Sequence, residues 1–172
     1  MQKKPELISF SGLAGRELTK LYRSGLEKIK PAVLTLTEAQ ADRQFPESTA
    51  GIWSCRVLLA HIADAEIAFA HRMRRAVSEK KPGFAVWDEI AFIEAGLYKS
   101  ASLSESIDLI QATRKWTGAW LSTLSDEQYL RTGIHPEKGE QTVQGILAYT
   151  TWNLENHTWF LNQKRELLAA AK

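Results

Sequence analysis

The 172-residue chain has one cysteine, Cys55, so it can form neither an intramolecular disulfide nor a multi-thiolate zinc site. No stretch approaches the ~18 consecutive apolar residues that cross a bilayer. The opening residues, Met1-Gln2-Lys3-Lys4-Pro5-Glu6, lead into no uninterrupted apolar segment, so no secretory signal is expected. A charge excess is missing too: 22 Lys and Arg against 20 Asp and Glu leave a net charge of +2. That balance is too even for a protein that grips nucleic acid through phosphates. Several catalytic signatures are also absent. There is no Glu-x-x-His pair for a di-iron carboxylate bundle, no His-Glu-x-x-His helix, no Gly-x-x-x-x-Gly-Lys-Ser/Thr phosphate loop and no Gly-x-Ser-x-Gly elbow.

What is present is ordinary globular material, 44% hydrophobic and 24% charged. A chain of this length buries most of its apolar surface without a disulfide. The expectation is one domain over residues 1–172 with a core at about 13–169, in a soluble, reduced, cytoplasmic protein. Four histidines are just enough for one imidazole-based site.

The apolar spacing predicts long helices and no convincing strand alternation. A first helix is expected from about Leu13 to Leu34, with Leu18, Leu21, Tyr22, Leu26 and Ile29 at helical steps and Pro31 set to kink it. Thr37 and Gln40 have capping-box spacing for a further short turn. Residues 45–51 are loop chemistry. A second helix starts near Trp53-Ser54, with Ser54 as N-cap, and runs to about Ser78. Its inner face carries Val57, Leu58, His61, Ile62, Ala65, Ala68, Phe69 and Met73. Residues 84–98 form an ordered crossover containing a short helix. Ser102 and Glu105 cap a third long helix reaching Leu124, and Ser125 with Gln128 caps a short piece. Residues 132–140, with Gly133, Pro136 and Gly139, read as a turn or irregular loop. The last helix spans roughly Thr142 to Ala169. Four amphipathic helices with a long crossover between the second and third define an all-α four-helix bundle, a fold that places ligand and metal sites among inward-facing side chains.

Three such side chains are His61, Asn153 and His157. Asn153 and His157 are four residues apart and share a helix face, and His61 sits mid-way along the inner face of the second helix. If those helices pack together, the three converge. Imidazole suits zinc, nickel, iron or copper, and three protein ligands with one open position is the usual catalytic arrangement. Asp64, three residues from His61, is in reach of the same place, whereas Glu155 points elsewhere. The tryptophans are mostly core, and Trp53, Trp87 and Trp152 are the candidates for lining a cavity. The remaining polar residues read as structural. His71, Arg72, Arg74 and Arg75 complement the C-terminal end of a helix dipole, with a polybasic nucleic-acid contact as the alternative. His135 is a turn residue bordering, at most, a pocket mouth, and Cys55 is an inert thiol.

These residues carry a resemblance. Trp53-Ser54 followed by Leu59-Ala60-His61-Ile62-Ala63-Asp64-Ala65-Glu66, then Trp87-Asp88, Leu124-Ser125-Asp126-Glu127-Gln128, His135-Pro136-Glu137 with Gly139, and Asn153-x-x-x-His157 occur in an order and spacing similar to the DinB/YfiT-like superfamily of bacterial four-helix bundles. The resemblance covers about Leu13 to Leu168. It implies a divalent metal (zinc, nickel, manganese or iron) held by three histidines, one on the second helix and two four apart on the last. It also implies thiol-dependent transferase or related metal-dependent chemistry, with low-molecular-weight thiols such as bacillithiol or mycothiol. Carried over residue by residue, the ligands fall on His61, Asn153 and His157. The middle position departs from the family, since an amide oxygen is a harder, weaker and neutral donor that weakens the site. Two readings stay open: a metal-dependent thiol transferase or hydrolase acting on a small molecule, and a non-catalytic or metal-free small-molecule binder. Assembly as a homodimer through exposed apolar helix faces is the expectation, with neither nucleic acid nor membrane as partner.

Overall fold

The computed structural model of the protein describes residues 3–29 and 31–170. The frame is the expected all-α four-helix bundle, with one small sheet added. After a single turn, α1 (Ile8–Ser11), the first long segment is α2 (Gly15–Ser24), continued by 3-10 turns at Gly25–Lys28 and Pro31–Thr35. The continuous helix expected over 13–34 is thus shorter, and Lys30 lies outside the described residues. The physical reason begins at Gly25. A Cβ there would lie 2.9 Å from Leu154 and 3.1 Å from Arg114, so glycine's lack of a side chain lets the neighbouring helices close in. Proline at 31 then removes a helical N–H.

The remaining helices begin where their caps dictate. Thr37 and Gln40 complete a reciprocal capping box for α3 (Glu38–Asp42). Ser54 Oγ accepts the Val57 N–H at 3.3 Å and opens α4 (Cys55–Ser78). Asp88 caps the crossover helix α5 (Glu89–Glu94), and Ser102 caps α6 (Leu103–Leu121). Leu124, expected inside that helix, instead lies in the turn before α7 (Asp126–Tyr129), whose capping box is Ser125 with Gln128. The last helix is α8 (Val143–Ala170). In the bundle α4 packs on α6 and α8, and α2 packs on the same two, so α2 and α4 face each other across the core.

Two apolar clusters fill the interior. One gathers Leu18, Phe69, Met73, Leu121, Ile146 and Leu147, the other Leu58, Leu59, Ile62, Ile110, Leu154 and Leu161. Between them along α4 stands Glu66, 1% exposed. Each long helical segment supplies a side chain to this level. Tyr22 of α2 donates its hydroxyl to Glu66 Oε2 at 2.7 Å, and Thr150 of α8 donates to Oε1 at 3.4 Å. Arg114 of α6 brings its Nε to 3.5 Å from Oε1 and lays its guanidinium 4.0 Å from the Tyr22 ring centroid. None of its three nitrogens makes a hydrogen bond among the described residues, so the attraction to Glu66 is coulombic and to Tyr22 cation–π. Burial pushes the Glu66 carboxyl above the usual range, against the pull of Arg114 and the two hydroxyls.

The segment read as an irregular loop is a β-hairpin, β1 (Thr132–His135) antiparallel to β2 (Gly139–Thr142). Its turn closes through Gly139 at φ 71°, a left-handed conformation that glycine adopts without strain. Long-range contacts hold it in place: Ile134 N–H donates to Pro82 C=O and Phe84 N–H to Ile134 C=O, both at 2.8 Å, tying β1 to the exit of α4. Gly133 allows this approach, since a Cβ there would fall 2.2 Å from the Phe84 ring.

Replacing Arg114 by Met leaves a buried carboxyl without its counter-charge, a change that costs roughly 3 kcal/mol or more. Urea unfolding near neutral pH should show that loss, with part of it recovered in the Glu66→Met, Arg114→Met double variant. A double variant as unstable as the sum of the two single ones would contradict the pairing.

Candidate functional site

The packing of α4 on α8 brings His61 and His157 into contact, their ring centroids 4.7 Å apart and their planes at 74°. Each ring lies against a tryptophan. Trp87, from the crossover, stacks on His61 at 5.1 Å, and Trp53, from the loop before α4, lies parallel to His157 at 6.1 Å and tilted to His61 at 5.0 Å. Together they line one end of a cavity of about 360 Å³ that also takes Asn153, Asn156 and Trp152 of α8 into its wall. Trp152 is held there by its indole N–H, which donates to the Pro5 carbonyl at 3.2 Å.

The aromatic surroundings set the protonation state. Burial pushes His61 below the usual imidazole range, partly offset by Glu89 and Asp64. His157 is driven down to about 3, by burial first and then by the neighbouring His61 and Lys4. Both rings are therefore neutral near pH 7, the form in which imidazole donates a lone pair to a metal. Buried and without a hydrogen-bond partner among the described residues are His61 Nδ1, His157 Nδ1, Trp87 Nε1 and Asn156 Oδ1. Unsatisfied polar atoms are uncommon in protein interiors, and these four belong to residues that line one cavity. By donor type, the set would offer a divalent cation two strong ligands, His61 and His157, and one weak one, the Asn153 amide oxygen, all three lining the cavity. No cluster of three or more His, Cys, Asp or Glu with metal-holding geometry occurs among the described residues, as the amide at 153 dictates.

The other residues singled out in the sequence fall as follows. Asp64 does not line the cavity. Its Oδ2 accepts the Tyr98 hydroxyl at 2.8 Å, a bond that holds the side chain toward the segment after α5, from where it still acts on His61 electrostatically. Glu155 pairs with Lys28 on the outer side of α8. Cys55 is buried, its thiol pushed up to about 11 by desolvation, and no thiolate forms near neutral pH. The basic block at the end of α4 divides three ways. Arg75 pairs with Glu79, Arg74 lies 3.5 Å from the centroid of Trp116, and Arg72 turns into the cavity. His135, read as a turn residue, is 5% exposed and lines the cavity with Lys138 and Tyr149. Asn156 was legible in principle, three residues from Asn153 on the same face. Arg72 was not, since its direction goes with the Ala85 carbonyl it donates to, and His135, read at most at a pocket mouth, is carried into the wall by the hairpin.

A model of the DinB superfamily matches residues 22–161. Among curated proteins, the chain is 32% identical over 132 residues to "Putative metal-dependent hydrolase YfiT" of Bacillus subtilis, covering 76% of this chain and 72% of that one. It is 27% identical over 129 residues to a protein of Oceanobacillus iheyensis with the same descriptive name, covering 75% and 73%. The solved structure of YfiT from Bacillus subtilis, a four-helix bundle of unusual topology, superposes with a TM-score of 0.83 at 24% identity, over 98% of this chain and 94% of that one. No described helix is long and apolar enough to cross a membrane.

The depressed imidazoles give stability an acid limb. The unfolded chain binds protons near pH 6.5 and the folded one resists them, so stability is full above about 6.5 and falls below it, by at most about 1.4 kcal/mol per pH unit for each ring. For His157 the fall continues toward its folded value of about 3. Urea unfolding between about pH 7 and 5 should show this slope, shallower in His157→Asn. Parallel slopes would contradict the burial of a neutral ring at 157.

Proposed function

Because the chain belongs to the DinB superfamily, we propose that it is a divalent-cation-dependent enzyme that hydrolyses a small molecule or transfers a low-molecular-weight thiol to it, in the cavity between α4 and α8. The observation that carries this reading is the contact of two neutral imidazoles, His61 buried and His157 half-buried, whose Nδ1 atoms are buried and have no protein partner among the described residues. The metal-dependent hydrolase names of the relatives support it.

In this reading His61 and His157 hold the cation and the Asn153 amide oxygen is the third, weaker donor. A bound divalent cation supplies Lewis acidity, which lowers the pKa of a water or thiol and yields a nucleophile at neutral pH. The chain's own residues do the rest. Trp53 and Trp87 lie against the imidazole faces, fixing the rings and keeping bulk water from them. Asn156 Oδ1, unpaired among the described residues, is an acceptor for a substrate N–H or O–H in the same space. Electrophilic small molecules with an apolar body suit walls of this kind.

A second reading, a metal-free small-molecule binder, is favoured by one residue, Asn153. A neutral amide beside two neutral imidazoles binds a cation less tightly than three imidazoles do.

Elemental analysis of protein purified without a metal-affinity tag separates the two. The wild type should take up zinc, nickel or manganese at micromolar levels, His61→Ala should lose that uptake, and Asn153→His should bind at least about tenfold more tightly. A wild type that takes up none of the three overturns the enzyme reading, and uptake confined to Asn153→His identifies the metal-free binder.

A further inference from the structure

The cavity has two chemically unlike ends. Around His61 and His157 its lining is aromatic, and a nearby cation, Lys4, lies over the Trp159 and Phe160 rings and is not part of that lining. At the other end stand Arg72 of α4, His135 of β1, Lys138 of the hairpin turn and Tyr149 of α8. Arg72 is half-buried, and one of its five N–H groups is committed, Nη2 donating to the Ala85 carbonyl at 2.7 Å. It forms no ion pair among the described residues, and no carboxylate contributes to its electrostatic environment, which burial dominates. A guanidinium keeps its charge even so. A partly desolvated cation with free donors and no acidic partner is an unusual thing for a fold to keep.

His135 completes the arrangement. Its Nδ1 faces the backbone N–H groups of Glu137 and Lys138, at 3.2 and 3.3 Å, and accepts from both. The ring proton must then sit on Nε2, which makes that atom a donor. Arg72 and Lys138 are close enough to act on this imidazole electrostatically, opposed by a smaller effect of the Glu137 carboxylate. Lys138 Nζ lies 4.9 Å from the Tyr149 ring centroid, beside the same wall. Two carboxylates also line the cavity, Glu89 and Glu137. Neither pairs with Arg72 or Lys138 among the described residues, and Glu89 exerts its field on His61 and Tyr149 instead.

We propose that Arg72, with the His135 Nε2–H and Lys138, forms an anion-recognition subsite, and that the cavity's substrate is a small molecule bearing a carboxylate or phosphate. The anionic group lies at the Arg72 end and the reacting end lies toward His61 and His157. This rests on the reading of the cavity as the reaction site, and it names the substrate class that reading leaves open. The volume of about 360 Å³ is at the small end of the range for ligand sites, ~300–1,000 Å³, enough for an aromatic or aliphatic body between the two ends.

The test is a calorimetric titration of the metal-stripped full chain with three probes of matched shape: 3-phenylpropionate, 2-phenylethyl phosphate and the neutral 3-phenylpropanamide. At least one anion should bind about tenfold more tightly than the amide, the worth of a charge-assisted hydrogen bond. The tighter of the two identifies the anionic group. Arg72→Gln should bring the anions to the level of the amide while leaving the amide unchanged, Arg72→Lys should restore part of the preference, and His61→Ala should keep all of it. Equal binding of all three probes to the wild type overturns the proposal. So does an Arg72→Gln variant, folded by circular dichroism, that weakens all three probes alike or none. No metal is present in this experiment, so a failed metal assay leaves its outcome intact, and equal probe binding leaves the metal reading intact.

Discussion

Glu66 is the point on which the four helices are keyed to one another. A carboxyl group that is 1% exposed is tolerable only where its partners meet it, and here they come from every long helical segment: Tyr22, Arg114 and Thr150 around a residue of α4. An apolar core slides by a turn at modest cost, whereas a buried ionic level that slides loses its partners together. The level therefore fixes the register of α4 against the antiparallel α8. Five residues before Glu66 and seven after Thr150, at ~1.5 Å per residue, the two helices present His61 and His157 to each other. The cavity inherits its geometry from a contact that takes no part in it.

What the register brings together is then governed by desolvation. Trp53 and Trp87 enclose two imidazoles that burial holds neutral, and leave buried ring nitrogens without partners among the described residues. Along the same cavity neutral donors of lone pairs give way to the cation Arg72 and the N–H of His135. The β-hairpin is the element that makes the contrast. It delivers His135 and Lys138, and it is anchored to the exit of α4 through Pro82 and Phe84.

Much of this was legible in the sequence because the signals are local. Thr37, Ser54, Ser102 and Ser125 stand directly before the helices they cap, each accepting from the backbone N–H three residues on, a relation written in adjacent residues. Asn153 and His157 follow from helical periodicity alone. The misses have a common cause in long-range contact. Four-residue strands show too little alternation to be read, and β1 depends on hydrogen bonds to residues some fifty positions earlier. Arg72, Arg74 and Arg75 look alike in sequence, yet one meets a cavity, one an aromatic pair and one a carboxylate, according to what happens to pack nearby. Asp64 was drawn to the site by its spacing from His61, but Tyr98, thirty-four residues on, holds it elsewhere. Glu66 lay in plain view within the motif, and only its burial against Arg114 reveals its part.

The central claim is that His61 and His157 form one neutral, metal-accepting pair. Long-range proton–nitrogen NMR of the histidine rings at about pH 5.5, before and after one equivalent of zinc, tests it directly. The account predicts nitrogen shifts of neutral imidazole for His157 before zinc, and zinc-induced changes at His61 and His157 while His71 and His135 stay fixed. A protonated ring at 157, or a zinc response confined to the other histidines, would contradict it.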